Sequence, residues 1–362
     1  MRAAIAHEWL VRYAGSERVV SNLLAAFPGA RILTTVLERD RVPPEFAAAE
    51  PSFLQHVPGA RSHHEWLLPL LPAAWLLRRP VSGVDIVVSS SHSCAKAVRV
   101  AAGIPHLCYC HTPMRYAWFF EEEKERLPAA VRPPARVAMR GFRRWDAASS
   151  RGVTRFAANS SAVAERIARF YGREAVVVHP PVRTEFFTPG GRERDGFVFV
   201  GRLVSYKRPD VVVEAFRGLP YRLTVVGDGH LAPALRRAAP PNVRLVSGLS
   251  DEELRELYRS AQGFVFPGVE DFGIAMAEAQ ACGVPVIAAA AGGALDIVAD
   301  GETGWLLPRV EPAAVRRAVV EAAGAAFDPA AISRSAARFS EERFRAEIRA
   351  LAEELVHGVD RG

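Results

Sequence analysis

Short runs of β-branched and aromatic residues recur along the chain, and stretches with helical spacing separate them. In the first half the strand runs fall at 3–6, 30–36, 84–90, 106–110, 153–158 and 175–179. Segments such as 16–27, 92–101 and 160–171 read as helices between them. The second half repeats the pattern, with runs at 196–201, 221–227, 243–248, 263–267 and 284–289, each followed by a helical segment. Alternating strands and helices predict βαβ units and parallel sheets. Right-handed crossovers then place helices on both faces of each sheet.

The pattern lapses once, in "PPVRTEFFTPGGRERDG" at 180–196, which is rich in Pro, Gly and charge and has no period. A chain of 362 residues is too long for one ordinary core. The expected organisation is an N-terminal domain over 1–186, a connector over 187–196 and a C-terminal domain over 197–338. The tail, 339–362, reads as an amphipathic helix that starts near Ser340 and Glu342, with a return onto the first domain as its expected packing. The fold class is therefore α/β, with two Rossmann-like, doubly wound domains facing a cleft. Ligands of such sheets bind beyond the carboxyl ends of the strands, so functional groups are expected just after strands.

Composition narrows the setting. Apolar residues make up 49% and charged residues 24%, as in soluble globular proteins. The longest apolar stretch, "WLLPLLPAAWLL" at 66–77, holds two prolines and falls well short of the roughly 20 residues of a spanning helix. "MRAAIAHEWL" carries His7 and Glu8 where a signal peptide needs an apolar run, so a cytoplasmic location is expected. Cys94, Cys108, Cys110 and Cys282 are too sparse for a disulfide framework and suit a reducing compartment. "CYCH" at 108–111 is poor zinc spacing without a second ligand pair, and no metal is expected.

The net charge is +6, with a pI near 9.4, which suits anionic partners such as phosphate-bearing substrates or a membrane surface. No nucleic-acid module is visible, and no nucleic-acid partner is expected. The stretch 63–80 mixes Trp66, Trp75 and leucines with Arg78 and Arg79. It reads either as a peripheral contact with the inner face of the membrane or as a helix packed on the N-terminal sheet. Its prolines break the amphipathic period and favour the second reading.

Two post-strand sites carry the chemistry. In "GRLVSYKRPD" at 201–210, Gly201 ends a strand, and Arg202 and Lys207 precede a helix that opens at Pro209. Two cations beside a helix N-terminus suit a pyrophosphate, although a solvated basic loop has the same composition. In "PGVEDFGIAMAEAQACGVPV" at 267–286, Glu270 lies in a loop and Phe272, Gly273 and Ile274 begin a helix with free backbone N–H groups. Glu278 follows eight residues later, roughly 12 Å along a helix. That span suits the distance between two hydroxylated rings of a nucleotide diphosphate sugar, with the helix end favouring the phosphates between them. The alternative is a capping acid plus an ordinary helix-surface glutamate, which an otherwise apolar helix makes the weaker reading. At the first βα turn, "RYAGSERVV", Gly15 and Ser16 stand at a helix N-terminus where backbone can approach a phosphate.

The series "FVGRLVSYKRPD", "VVGDG", "PGVEDFGIAMAEAQACGVPVIA" and "GGALDIVADGETGWLL" resembles the retaining glycosyltransferases of family four, which have the GT-B fold. The N-terminal motifs "VVSSSHSCAKAV", "CYCHTPMRYAW", "AANSSAVAERI" and "VVVHPPV" are similar to bacterial O-antigen and capsule mannosyltransferases of that family. The resemblance implies that Arg202 and Lys207 hold the donor diphosphate, Glu270 the transferred sugar and Glu278 the ribose. It implies backbone contacts from Phe272, Gly273 and Ile274, and it places His111 near the sugar. The family's paired glycines are Ala14-Gly15 here, and its "GDGP" is "GDGH".

The expectation is a metal-independent, retaining hexosyltransferase without a cofactor, acting in cell-surface polysaccharide synthesis. Its partners are a nucleotide-sugar donor and a glycan or lipid-linked acceptor, with GDP-mannose favoured over UDP-sugars by analogy alone. A sugar-nucleotide epimerase, a non-catalytic sugar-nucleotide-binding partner and a glycogen-synthase-like polymerase are the competing readings.

Overall fold

The computed structural model describes residues 1–62, 64–124, 128–191 and 193–359. The chain forms two compact units, one of Met1–Pro181 with the stretch from Phe344 onward, the other of Val182–Arg343. Each is built on a six-stranded parallel sheet.

In the first unit the strands are β1 (Ala3–His7), β2 (Arg31–Leu33), β3 (Ile86–Ser91), β4 (His106–Cys110), β5 (Arg155–Ala158) and β6 (Ala175–Val177). Their order is β2-β1-β3-β4-β5-β6, with Ile5 opposite Ile32 on one side and Val88 on the other. The direction of strand addition reverses between β1 and β3, which makes that junction the topological switch point. The helix Gly15–Ala26 packs on one face through Val19, Val20 and Leu23. The terminal helix Glu341–Val359 joins the same cluster through Phe344, Ile348, Ala352 and Leu355. Ser340 caps it, its Oγ accepting from Arg343 N at 3.2 Å. Phe344 meets Tyr109 of β4 edge to face at 5.3 Å.

In the second unit the strands are β7 (Phe197–Val200), β8 (Leu223–Val226), β9 (Val243–Val246), β10 (Gly263–Phe266), β11 (Val286–Ala289) and β12 (Gly304–Leu307), ordered β12-β11-β10-β7-β8-β9. Its switch point lies between β7 and β10. The stretch 187–196, read as a connector, is held by this unit. Phe187 is fully buried against Tyr258, and Arg259 Nε donates to Thr188 O at 2.8 Å.

Two local expectations change. The segment 92–101 is not a helix; it holds only a 3-10 turn at Ala95–Ala97. The carboxylate of Glu8, far away in sequence, accepts from the backbone N–H groups of His92, Ser93 and Ala95, and from Val98 the backbone is extended, with Arg99 O accepting from Val81 N and Ala101 N donating to Val81 O. β12 is an additional strand: "GWLL" is four residues long and too short to signal itself, but it pairs along β11 from Val286–Gly304 to Ala289–Leu307.

In the stretch 63–80, His63 lies outside the described residues, as do the side chains of 64–66. The remainder forms a 3-10 helix, His64–Leu70, and a short helix, Leu71–Leu76. The short helix buries Leu71, Ala74 and Trp75 against Ala4, Ala6 and Val87 of the sheet, and leaves Leu70, Leu76 and Leu77 exposed. Among the described residues no helix is long and apolar enough to cross a membrane.

Candidate active site

The second unit's switch point collects the residues expected to bind phosphate and sugar. The loop after β7 carries Gly201 and the exposed Arg202, then a 3-10 turn, Ser205–Lys207. Arg208 follows with a left-handed backbone (φ 54°), immediately before Pro209 opens the next helix. Arg202 Nη2 donates to Tyr206 Oη at 3.2 Å. Lys207 Nζ lies 2.8 Å from Glu270 Oε1, and 5.5 Å from the ring centre of Phe266. Gly268 makes that pairing possible. A Cβ there would stand 2.5 Å from Lys207 Cα, so only glycine lets the loop after β10 close onto the lysine turn.

Glu270 is then fixed from its other side, where its carbonyl accepts from Gly293 N at 3.0 Å. The helix begins at Ile274 rather than at Phe272, because Gly273 takes a left-handed N-cap conformation (φ 103°). Phe272 is buried edge-on to Phe339 at 5.3 Å, which leaves its backbone as the part that can meet a ligand. Glu278 sits four residues into the helix Ile274–Ala281 and is only 6% exposed.

The first unit's switch point gathers a polar cluster that sequence reading only touched. His111 follows β4, and its Nε2 is 2.8 Å from Ser90 Oγ. Its imidazole is pushed down to about 3 by burial and by the neighbouring His92 and His7, so it stays neutral at physiological pH and serves as a hydrogen-bonding group. His7 ends β1, with Nδ1 donating to Ser90 O at 3.0 Å and Nε2 3.8 Å from Glu17 Oε1. Burial works against its protonation, but Glu17 and Glu8 outweigh burial and raise its pKa.

Glu8 is fully buried. Its Oε1 accepts from Ser91 Oγ and from three backbone N–H groups, of His92, Ser93 and Ala95, at 2.8–3.2 Å. Burial favours its neutral form, yet His92, His7 and these N–H groups hold its pKa at about 2. Gly15 and Ser16 open the helix Gly15–Ala26 as expected, but Ser16 Oγ donates to Glu17 Oε2 at 3.0 Å, and Ala14 N reaches the same oxygen at 3.1 Å.

A buried ion pair fixes the loop after β3 from beneath. Lys96 pairs with Asp146 and donates to Ser93 O at 2.9 Å. Asp146 Oδ2 accepts from Trp118 Nε1 at 2.7 Å and from Tyr171 Oη at 2.8 Å, so both of its oxygens are satisfied. Cys108 and Cys110 lie in the core with Phe156, Val163 and Ile167, and burial pushes the Cys108 thiol up to about 12. Among the described residues no group of three or more His, Cys, Asp or Glu is arranged to hold a metal ion.

Glu8, His7, Glu17 and His92 were not singled out as site residues. The available signal was a charged pair, His7-Glu8, at the carboxyl end of the first strand, where the switch-point rule looks for function.

Comparison with known proteins agrees with this architecture. The profile of Glycosyltransferase Family 4 matches residues 13–186, and that of Glycosyl transferases group 1 matches residues 183–323. A D-inositol 3-phosphate glycosyltransferase of Streptomyces avermitilis is 33% identical over 222 residues, 52% of this chain and 48% of that protein. The one from Mycolicibacterium smegmatis is 38% identical over 157 residues, 36% of each chain. The chain thus spans about half, or less, of these curated relatives. Among solved structures, a sucrose-phosphate synthase of Thermosynechococcus elongatus aligns with TM-score 0.74 at 16% identity, over 99% of this chain and 100% of that one. HepE of Anabaena in complex with UDP and glucose aligns with TM-score 0.69 at 15% identity, over 97% and 99%. The fold is that of GT-B glycosyltransferases.

Proposed function

From a chain that carries a family four glycosyltransferase domain followed by a group 1 glycosyltransferase domain, we infer that the protein moves a hexose, with retention of configuration, from a nucleotide diphosphate sugar to a hydroxyl of a glycan or lipid-linked acceptor. The observation that carries the reading is the Lys207–Glu270 pair at the β7/β10 switch point, beside the left-handed turn at Gly273 and the buried Glu278.

In this mechanism Arg202, Lys207 and the backbone of Phe272, Gly273 and Ile274 meet the diphosphate. Negative charge develops there as the bond to the sugar breaks, so donors aimed at it lower the barrier. Glu270 takes hydroxyls of the transferred sugar, and Glu278 takes the ribose. The acceptor hydroxyl attacks on the face the diphosphate leaves, and a leaving phosphate oxygen receives its proton. His111 orients the sugar; an imidazole held near pKa 3 is a weak base at neutral pH. Gly15 approaches the donor through its backbone, with Ser16 Oγ committed to Glu17. The cations come from side chains, so turnover persists in EDTA. The setting is cell-surface polysaccharide synthesis, at the cytoplasmic face of the membrane, with Leu70, Leu76 and Leu77 as the exposed apolar contact.

GDP-mannose is the preferred donor, on the N-terminal motifs. UDP-glucose is the second, because a structural neighbour was solved with UDP and glucose. The relatives' names make D-inositol 3-phosphate a second acceptor to test. The test is a thermal-shift panel of GDP, UDP, ADP and their sugars, followed by donor consumption with and without acceptor. A ligand at 100 times its Kd stabilises by about 2.7 kcal/mol, so the right base stands out. Donor isomerised without acceptor makes the protein an epimerase. Binding without consumption makes it a non-catalytic partner.

A further inference from the structure

Glu8 and His92 occupy in the first unit the place that Glu270 and Lys207 occupy in the second: the carboxyl ends of the two strands that flank the switch point. Glu8 directly follows β1 and His92 directly follows β3. The two strands are paired along their whole length, from Ala3–Ile86 to His7–Ser90. Glu8 Oε1 is saturated by four donors, whereas Oε2 and His92 Nδ1 are both buried, neither forms a hydrogen bond, and they lie 3.3 Å apart.

A carboxylate this firmly anchored does not rotate to suit its neighbour, so it dictates the state of the imidazole. Its negative charge, 3.3 Å from Nδ1, favours a proton on that nitrogen and so leaves Nε2 as a hydrogen-bond acceptor. Of the two side chains only the imidazole reaches solvent, at 22% exposure against none for Glu8. Trp9 stands edge-on to its ring at 5.0 Å and His111 at 6.3 Å, so the ring is held on two sides. With Glu8 and Glu17 nearby, an anion is a poor ligand here, and an uncharged hydroxyl is a good one.

We propose that His92 is an acceptor-binding residue of the first unit, its Nε2 accepting a hydrogen bond from a hydroxyl of a sugar or cyclic polyol, next to the hydroxyl that attacks, and that Glu8 is its positioning residue. This rests on the transferase reading above, but the first measurement does not. Long-range proton–nitrogen NMR of the full chain, with histidine labelled, reads the tautomer directly. The expected spectrum at neutral pH has His92 protonated at Nδ1 alone, and Glu8→Gln abolishes that preference. A wild-type His92 protonated at Nε2 overturns the proposal.

The second measurement is kinetic. With the acceptor found above, His92→Ala raises acceptor KM about tenfold, the scale of one lost hydrogen bond. The rise in acceptor KM exceeds any change in donor KM, and His92→Gln restores part of the affinity. An unchanged acceptor KM overturns the proposal, whether or not Glu8→Gln folds. If no acceptor takes a hexose, the transferase reading has failed, and the same NMR experiment decides with methyl α-mannoside as the probe. A shift of His92 Nε2 on titration supports the site, and no shift refutes it.

Discussion

Lys207 Nζ and Glu270 Oε1 lie 2.8 Å apart and join the loop after β7 to the loop after β10, so the proposed phosphate ligand and the proposed sugar ligand neutralise one another in the free protein. An incoming donor has to share both partners. Arg202, exposed and turned to the Tyr206 hydroxyl, is the cation that adds charge without leaving a carboxylate behind.

Lys207→Ala and Arg202→Ala are expected to lower turnover by roughly 10²–10³ each, the scale of removing one donor from a developing charge. They should differ in the free protein. Lys207→Ala leaves Glu270 partly buried without its cation, whereas Arg202→Ala removes an exposed side chain and leaves the melting temperature unchanged. Single-turnover rates and melting curves check this. Either variant keeping more than about a third of the wild-type rate removes that residue from the phosphate site.

Gly268→Ala separates backbone approach from side-chain chemistry. The added methyl meets Lys207 Cα at 2.5 Å and its carbonyl at 2.8 Å, all backbone, so the two loops must part. The expected result is about 1–3 kcal/mol of destabilisation together with lost turnover, although no functional group is removed. Gly141→Ala, in the helix Arg132–Ser149 with open space around it, should instead stabilise by up to about 1 kcal/mol. Chemical unfolding of the two variants measures both signs.

The first unit should weaken in acid through two particular carboxylates. Glu8 and Glu17 each fall from 4.5 to about 2 in the folded protein. Their contribution to stability is therefore complete above pH 4.5 and is lost as the pH drops through about 2. His7, with a raised pKa, acts in the opposite sense. Its contribution is complete below 6.5 and is lost as the pH rises through its folded value. Tryptophan emission reports largely on this unit, through Trp9, Trp75, Trp118 and Trp145. Between pH 4 and pH 2.5, Glu8→Gln should flatten the slope of stability against pH by about 1 kcal/mol per unit. Equal slopes in variant and wild type would place the acid sensitivity elsewhere.

What could be read in the sequence follows from how local each feature is. Eleven strands announce themselves as short apolar runs between helical stretches, and the loops after β7 and β10 carry their charged residues within a few positions of the strand end. The turn at 92–97 could not be read that way. Its sequence suits a helix, but its first N–H groups are held by a carboxylate more than 80 residues away and its far end pairs in extended form with Val81. The same distance hid the site: Glu8 next to His7 looks like a charged interruption of an N-terminal run until β3 is laid beside β1. The Lys207–Glu270 pairing was equally out of reach, since it depends on Gly268 allowing two loops 60 residues apart to touch.

The two glutamates of the second unit should fail differently when made neutral. Glu278→Gln keeps the shape of a buried side chain and weakens the proposed charge-assisted hydrogen bond to the ribose, which does not react. Its effect should appear as weaker binding of donor and of free nucleoside diphosphate alike, by a few kcal/mol at most. On the proposed assignment, Glu270→Gln disturbs the ring where positive charge develops, so its effect should fall mainly on kcat. It also releases Lys207 from its ion pair. The freed ammonium can then give its full charge to a phosphate, so nucleoside diphosphate should bind this variant at least as tightly as it binds the wild type. Titration calorimetry with GDP and UDP on both variants measures the contrast. If Glu270→Gln weakens nucleoside diphosphate binding as much as Glu278→Gln does, Glu270 is holding the phosphate end of the donor through Lys207, and its assignment to the sugar is wrong.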